Sequence, residues 1–211
     1  MWSLAGMVLL AYLLGSLSGS LLLGKLRQVD IRTLGSGNAG GTNAFRTQGF
    51  WFALGVVVVD VGKGVVAVAW LPALVASPGA TAREVAMLAC GFAAIVGHCY
   101  PLYHGFRGGK GAATALGALL VVQPCLLLPM VGTWLVALAL SGYVGLATVL
   151  AGFSLLPGAL WLDASPGLWI FCVASAAFMA FTHRSNLQRM RAGTEHRFER
   201  ARLTRWFRRA R

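Results

Sequence analysis

The sequence is short of carboxylates: it has 6 Asp and Glu against 18 Lys and Arg in 211 residues. Asp30, Asp60, Glu84, Asp163, Glu195 and Glu199 are scattered along the chain. Magnesium prefers carboxylate oxygens, so this scarcity argues against a metal-dependent site with spaced aspartates, such as that of the membrane phosphatidyltransferases. It also argues against a pair of carboxylates sharing acid and base work, and the expectation is a site without metal or cofactor. The four cysteines, Cys90, Cys99, Cys125 and Cys172, lie in or beside apolar runs without the spacing of a disulfide framework or a metal site, and read as packing residues. None of the four histidines has an aspartate five positions later, where Tyr103, Gly109, Gln188 and Ala201 stand, so the common His-four-residues-Asp acyltransferase motif is missing. Charged residues make up 11% of the chain and hydrophobic ones 57%, too apolar for a soluble core of this length.

The apolar residues form long runs, which places the chain in a bilayer. Met1 to Gly24 is uncharged and long enough to cross, with Trp2 and Tyr12 available to an interface. A secretory signal peptide fits poorly, because Lys25, Arg27 and Arg32 follow the run and no positive residue precedes it. Positive residues favour the cytoplasmic side, so the N-terminus is expected outside. Trp51 to Val75 reads as a second span and carries Asp60 and Lys63, three apart on one helical face, placed to neutralise each other or to reach a cavity. Ser77 to Arg83 then forms an outer turn, and Thr81 with Glu84 has capping-box spacing to start a third span ending near Tyr103.

From Ala112 to Thr182 the only charged residue is Asp163. Ten arginines follow, from Arg184 to Arg211, with Trp206 and Phe207 among them. This basic tail reads as an interfacial segment on anionic lipid headgroups rather than as a nucleic-acid contact. If the Lys110 loop and the tail both face the cytoplasm, an even number of crossings separates them. At about twenty residues per crossing, two leave chain over and four are tight. Pro124, Pro129, Ser141-Gly142, Pro157 and Asp163 to Gly167 are plausible breaks. The expectation is an all-α integral membrane protein with seven spans, or five as runner-up, and a cytoplasmic C-terminus. Residues 1–182 would form the membrane domain, and 183–211 the third polar motif and Arg-rich tail.

Three polar elements interrupt the apolar runs. Gly35 to Arg46 contains Gly35, Gly37, Gly40 and Gly41, which let backbone amides approach a ligand, with Ser36, Asn38, Thr42 and Asn43 as short polar partners and Arg46 as a planar fork for phosphate. The second, Gly97 to Thr114, includes Arg107-Gly108-Gly109-Lys110-Gly111. His104 stands where a Walker loop needs glycine, so this is not an ATP loop by pattern, but its amides and Lys110 suit phosphate at the start of the next helix. In the third, His183 and Asn186 lie three apart on one helical face after the last apolar run.

Gly35-Ser36-Gly37-Asn38-Ala39-Gly40-Gly41-Thr42-Asn43 through Arg46, then Gly97-His98 with Gly108-Gly109-Lys110-Gly111 and Thr114, then His183-Arg184-Ser185-Asn186, resemble the three motifs of the bacterial acyl-phosphate glycerol-3-phosphate acyltransferases. The likeness extends over nearly the whole chain, including Asp60-Val61-Gly62-Lys63-Gly64. It implies a seven-helix bundle in the bacterial inner membrane with its site at the cytoplasmic face. It also implies transfer of a fatty acyl group from acyl phosphate to the 1-hydroxyl of glycerol 3-phosphate, giving lysophosphatidic acid and phosphate for phospholipid biosynthesis. By position it marks Ser36, Arg46, Lys110, His183 and Asn186 as catalytic, and Gly37, Asn38, Gly40, Thr42, Asn43, Gly108, Gly109 and Gly111 as phosphate-binding. An acyl phosphate carries a good leaving group, so no strong enzymic nucleophile is required. Either His183 or the departing phosphate could take the hydroxyl proton.

This sequence departs from the family pattern at Gly41, where alanine is usual, at Ser185, where an acidic residue is common, and at Gly145, where many members have serine. The alternative from another class is a small-anion transporter, which predicts matching polar breaks in both halves, whereas Ala112 to Thr182 is nearly blank. An acyltransferase with a thioester donor would need a nucleotide pocket, for which there is no recognisable signal.

Overall fold

The computed structural model describes residues 3–74 and 79–199. Trp2, Val75, Ser77 and the tail from Arg200 onward, including Trp206 and Phe207, lie outside the described residues. Every regular element among the described residues is helical, with no strand. The chain divides into two compact units, Met1–Gln123 and Pro124–Arg211.

The first unit is built from α1 (Leu4–Gly15), α2 (Gly19–Leu26), α3 (Gly41–Gln48), α4 (Phe50–Ala69), α5 (Ala80–Cys99) and α6 (Ala112–Val122). The expected first span is not one straight helix: α1 and α2 meet at a bend of 45° over Ser16–Ser18. Gly and Ser flank this bend on both sides, a pairing that commonly kinks helices. Helix α5 does not start from a Thr81–Glu84 box. Gly79 is its N-cap and Thr81 already lies within the helix.

Small residues let the helices approach backbone to backbone, since between helices in lipid attraction comes from close packing. Gly15 of α1 sits against the Ala94 backbone of α5, and Gly97 against the Tyr12 carbonyl. Gly64 of α4 meets the Thr114 carbonyl of α6, and Gly117 meets the Val61 carbonyl in return. The core between them is rich in alanine, including Ala11, Ala67, Ala86, Ala93 and Ala94.

The second unit contains α7 (Leu127–Ser141), α8 (Val144–Phe153), α9 (Leu155–Trp161), α10 (Pro166–Thr182) and α11 (Arg184–Arg191). The breaks expected at Pro124, at Ser141-Gly142 and over Asp163 to Gly167 all separate helices. Gly142 ends α7 in a left-handed conformation, while Ser165 caps α10 through a 3.1 Å bond from the Leu168 amide, with Pro166 following. Pro129 and Pro157 do not separate spans. Each is the third residue of its helix, in the first turn where proline removes no intrahelical bond.

Among the described residues, four segments are long and apolar enough to cross a membrane: Phe50–Leu74, Thr81–His104, Pro124–Ser141 and Val144–Trp161. Counting each bent pair, α1 with α2 and α10 with α11, as one span gives six. Helix α6 is apolar but shorter, at 11 residues.

Substituting Gly117→Val forces a side chain into the α4 backbone. It should lower unfolding stability by about 2–3 kcal/mol, read as a shift in the denaturation curve in detergent micelles. An unshifted curve would contradict the packing described.

Candidate active site

The first glycine loop is shaped from within. Gly35 has φ 57°, and a side chain there would strike the Asn43 carboxamide. Asn43 is buried, its Oδ1 accepting from the Ser36 amide at 2.9 Å and its Nδ2 donating to the Ile31 and Leu34 carbonyls at 3.1 and 2.9 Å. Expected as a phosphate contact, Asn43 therefore uses both ends of its amide to hold the loop. Ser36 stays exposed at the turn. Gly40 then caps α3, whose first amides belong to Gly41, Thr42 and Asn43, an arrangement that favours anions. Arg46 follows Thr42 by four residues and shares its face. An alanine at Gly41 would bring its Cβ to 3.0 Å from Val57 Cγ2, so in this chain the glycine relieves a crowded helix contact.

The second loop is held from α5. Gly108 and Gly109 donate their amides to the Cys99 and His98 carbonyls at 3.2 and 3.1 Å, so these two amides fasten the loop. Gly111, the N-cap of α6, leaves Lys110 just before that helix starts. The two loops touch: a Cβ on Gly109 would strike His98 Nε2 and come within 3.1 Å of the Ala39 carbonyl. Ser20 donates to the same Ala39 carbonyl at 2.9 Å. The structure thus brings the loops bearing Ser36, Arg46 and Lys110 into contact within the first unit.

A further clasp lies at the loop bases. Arg32 pairs with Asp30 at 2.8 Å and donates to the His104 carbonyl at 2.9 Å. Its side chain and amide hydrogen bonds hold the Asp30 carboxyl down to about 2. A depressed carboxyl contributes stability above its unfolded value of 3.8 and loses it as pH falls through about 2, so this clasp is constant across neutral pH. A recess of about 270 Å³ beside it is lined by Leu21, Lys25, Gln28, Val29, Asp30, Arg32 and His104, and by none of the five expected catalytic residues.

Beneath the loops lies a buried charge cluster. Lys63 Nζ donates to the Leu17 carbonyl at 3.0 Å and to Asp60 Oδ1 at 3.0 Å, and lies 2.8 Å from His98 Nδ1. His98 Nδ1 also lies 3.3 Å from Asp60 Oδ1, so the ring nitrogen faces both the ammonium and the carboxylate. Asp60 Oδ1 also accepts from the Gly19 amide at 3.0 Å. The sequence pairs Asp60 with Lys63 correctly but gives no sign that His98 completes the set.

The third motif belongs to the second unit. His183 is buried, and its Nδ1 donates to the Met179 carbonyl at 2.8 Å. In the neutral ring this assigns the lone pair to Nε2. Asn186 on α11 packs against Gly145 of α8, where a Cβ would come 2.6 Å from the Asn186 Cβ. Asn186 Nδ2 donates to Glu195 Oε1 at 2.6 Å, a contact that the sequence reading missed by leaving Glu195 in the tail. The available signal was Gly193, which follows the helical run where a C-terminal turn is expected. Among the described residues, no group of three or more His, Cys, Asp or Glu is placed to hold a metal ion.

These features define a class: all-helical membrane-type chains that present clasped glycine-rich loops, each followed by a cation suited to phosphate. The chain belongs to the glycerol-3-phosphate acyltransferase family, whose model matches residues 5–193. It is 36% identical to the glycerol-3-phosphate acyltransferase of Chlorobium luteolum over 93% of this chain and 97% of that one. It is 38% identical to that of Symbiobacterium thermophilum over 93% and 96%. The crystal structure of PlsY, an integral membrane glycerol 3-phosphate acyltransferase, in its glycerol 3-phosphate form aligns with a TM-score of 0.85 at 32% identity, covering 93% of this chain and 96% of that chain. Its lysophosphatidic acid form aligns with a TM-score of 0.82. With these relatives and its own helices of spanning length, the chain is a multi-pass membrane enzyme of the acyltransferase type.

Asp60→Asn leaves Lys63 buried without its counter-charge. It should destabilise the protein by about 3–5 kcal/mol, measured by unfolding in mixed micelles. Wild-type stability in this variant would contradict the cluster's role.

Proposed function

We propose that this protein transfers a fatty acyl group from acyl phosphate to the 1-hydroxyl of glycerol 3-phosphate, yielding lysophosphatidic acid and inorganic phosphate. The observation that carries this reading is the contact between two glycine loops, one leading to Arg46 and the other to Lys110, at the start of α3 and α6. Two anionic substrates repel each other in water. A pair of cation-bearing loops offsets that repulsion and holds the reactants together, which removes much of the entropic part of the barrier.

In the reaction, the glycerol oxygen forms a bond to the acyl carbon, the carbon–oxygen bond to phosphate breaks, and phosphate leaves with the electron pair. The hydroxyl proton goes either to His183 Nε2, whose lone pair is set by the Nδ1 bond to Met179, or to the departing phosphate. Ser36, Gly37, Asn38, Gly40 and Thr42 with Arg46, and Gly111 with Lys110, are the proposed phosphate contacts. Asn43, Gly108 and Gly109 act by holding the loops. His183 and Asn186 serve the hydroxyl.

We place the enzyme in the bacterial inner membrane with seven crossings, counting the four long segments, α1 with α2, α6 and α10. The N-terminus lies outside, while the glycine loops and residues 183–211 lie in the cytoplasm, where the arginines meet anionic lipid.

Purified protein given acyl phosphate and glycerol 3-phosphate should release phosphate in step with lysophosphatidic acid, and an acyl-CoA control should give none. Product from the thioester alone would overturn the donor assignment. His183→Gln should lower kcat by about a hundredfold or more at neutral pH if the ring takes the proton. Retained turnover would assign the proton to the departing phosphate.

A further inference from the structure

The chain beyond α11 turns back onto the third motif. Gly193, at φ 70°, donates to the Met190 carbonyl at 3.1 Å, and Thr194 to the Arg189 carbonyl at 2.8 Å, the paired bonds of a Schellman turn. The turn delivers Glu195 beneath the helix, where its side chain is only 5% exposed. Its two oxygens are divided: Oε1 accepts from Asn186 Nδ2 at 2.6 Å and Oε2 from Arg189 Nε at 2.7 Å. The segment is then held to the α7–α8 corner, with Arg197 over the Tyr143 ring at 4.6 Å and the Phe198 amide donating to the Gly142 carbonyl at 2.8 Å.

A carboxylate only accepts hydrogen bonds, so the Asn186 atom against Glu195 has to be the amide nitrogen. The carbonyl end of Asn186 therefore faces away from Glu195. An acceptor suits a hydroxyl proton and repels a phosphate oxygen. Gly145 contributes by leaving room for Asn186, since a Cβ there would displace it.

We propose that Glu195 is a positioning residue for the transfer: it orients the Asn186 amide so that the carbonyl end meets the acceptor hydroxyl of glycerol 3-phosphate. This rests on the reading of Asn186 as a substrate contact. Glu195 does not touch substrate, and it acts through Asn186 while Arg189 holds its other oxygen.

Reciprocal exchange tests the orientation. In Glu195→Gln, Arg189 claims the new amide's oxygen, its NH2 group turns to Asn186, and the Asn186 amide flips to present a donor. In Asn186→Asp, two carboxylates meet at a buried contact. The double variant Asn186→Asp with Glu195→Gln restores donor against acceptor, keeps the pair's net charge and again presents an acceptor. Phosphate release from acyl phosphate should fall about a hundredfold in kcat in each single variant. The double variant should recover at least about tenfold over either single one, with detergent melting temperatures reported beside every rate. A double variant no faster than the singles would overturn the proposal, as would Glu195→Gln that melts early yet keeps the wild-type kcat. Absence of phosphate release from the wild-type protein would count against the proposed reaction itself, which separates the two failures.

Discussion

The structure of the first unit depends on one buried ion pair placed where a helix breaks. Taking a carboxylate and an ammonium out of water costs several kcal/mol each, and their mutual attraction repays this only when the remaining hydrogen-bonding capacity is satisfied. Here the helix break supplies what is missing. Where α1 stops and α2 begins, the Leu17 carbonyl and the Gly19 amide lose helical partners, and Lys63 and Asp60 bind them respectively. The cation meets the carbonyl side of the break and the anion meets the start of α2, the polarity that helix dipoles favour. Each defect, the broken helix and the buried pair, stabilises the other.

From this cluster the loops are suspended. His98 meets Lys63 and Asp60 through its ring and accepts from Gly109 through its carbonyl, and its ring closes on the side of Gly109 where any other residue would carry a Cβ. Ser20, one residue past Gly19, reaches the Ala39 carbonyl in the other loop. The same few residues therefore place both glycine-rich loops. The Asp30–Arg32 clasp closes the base of the same loops.

Much of this was legible from the residues. Apolar run length marked the spans, and glycines with capping signals marked the breaks at Pro124, Ser141-Gly142 and Asp163 to Gly167, because these signals act through local backbone geometry. Pro129 and Pro157 misled, since a proline three residues into a helix is a starting signal as much as a stop. The 45° bend in the first span was hidden: Gly15, Ser16, Ser18 and Gly19 are all small, and only the distant Asp60 and Lys63 make the bend favourable. Likewise the side-chain bonds of Asn43 to Ile31, Leu34 and Ser36 are not readable from spacing, and Glu195 reads as a tail residue until the Gly193 turn brings it to Asn186. Contacts set by tertiary approach leave no spacing in the sequence.

The central claim is that the Asp60–Lys63–His98 cluster holds the glycine loops in the form proposed to bind anions. Its most direct test is calorimetric titration of glycerol 3-phosphate into the detergent-solubilised double variant Asp60→Leu with Lys63→Leu, which removes both charges and leaves neither uncompensated. The account predicts a folded protein whose affinity for glycerol 3-phosphate falls by about tenfold or more, the equivalent of one charge-assisted hydrogen bond lost. Wild-type affinity in that variant would contradict it.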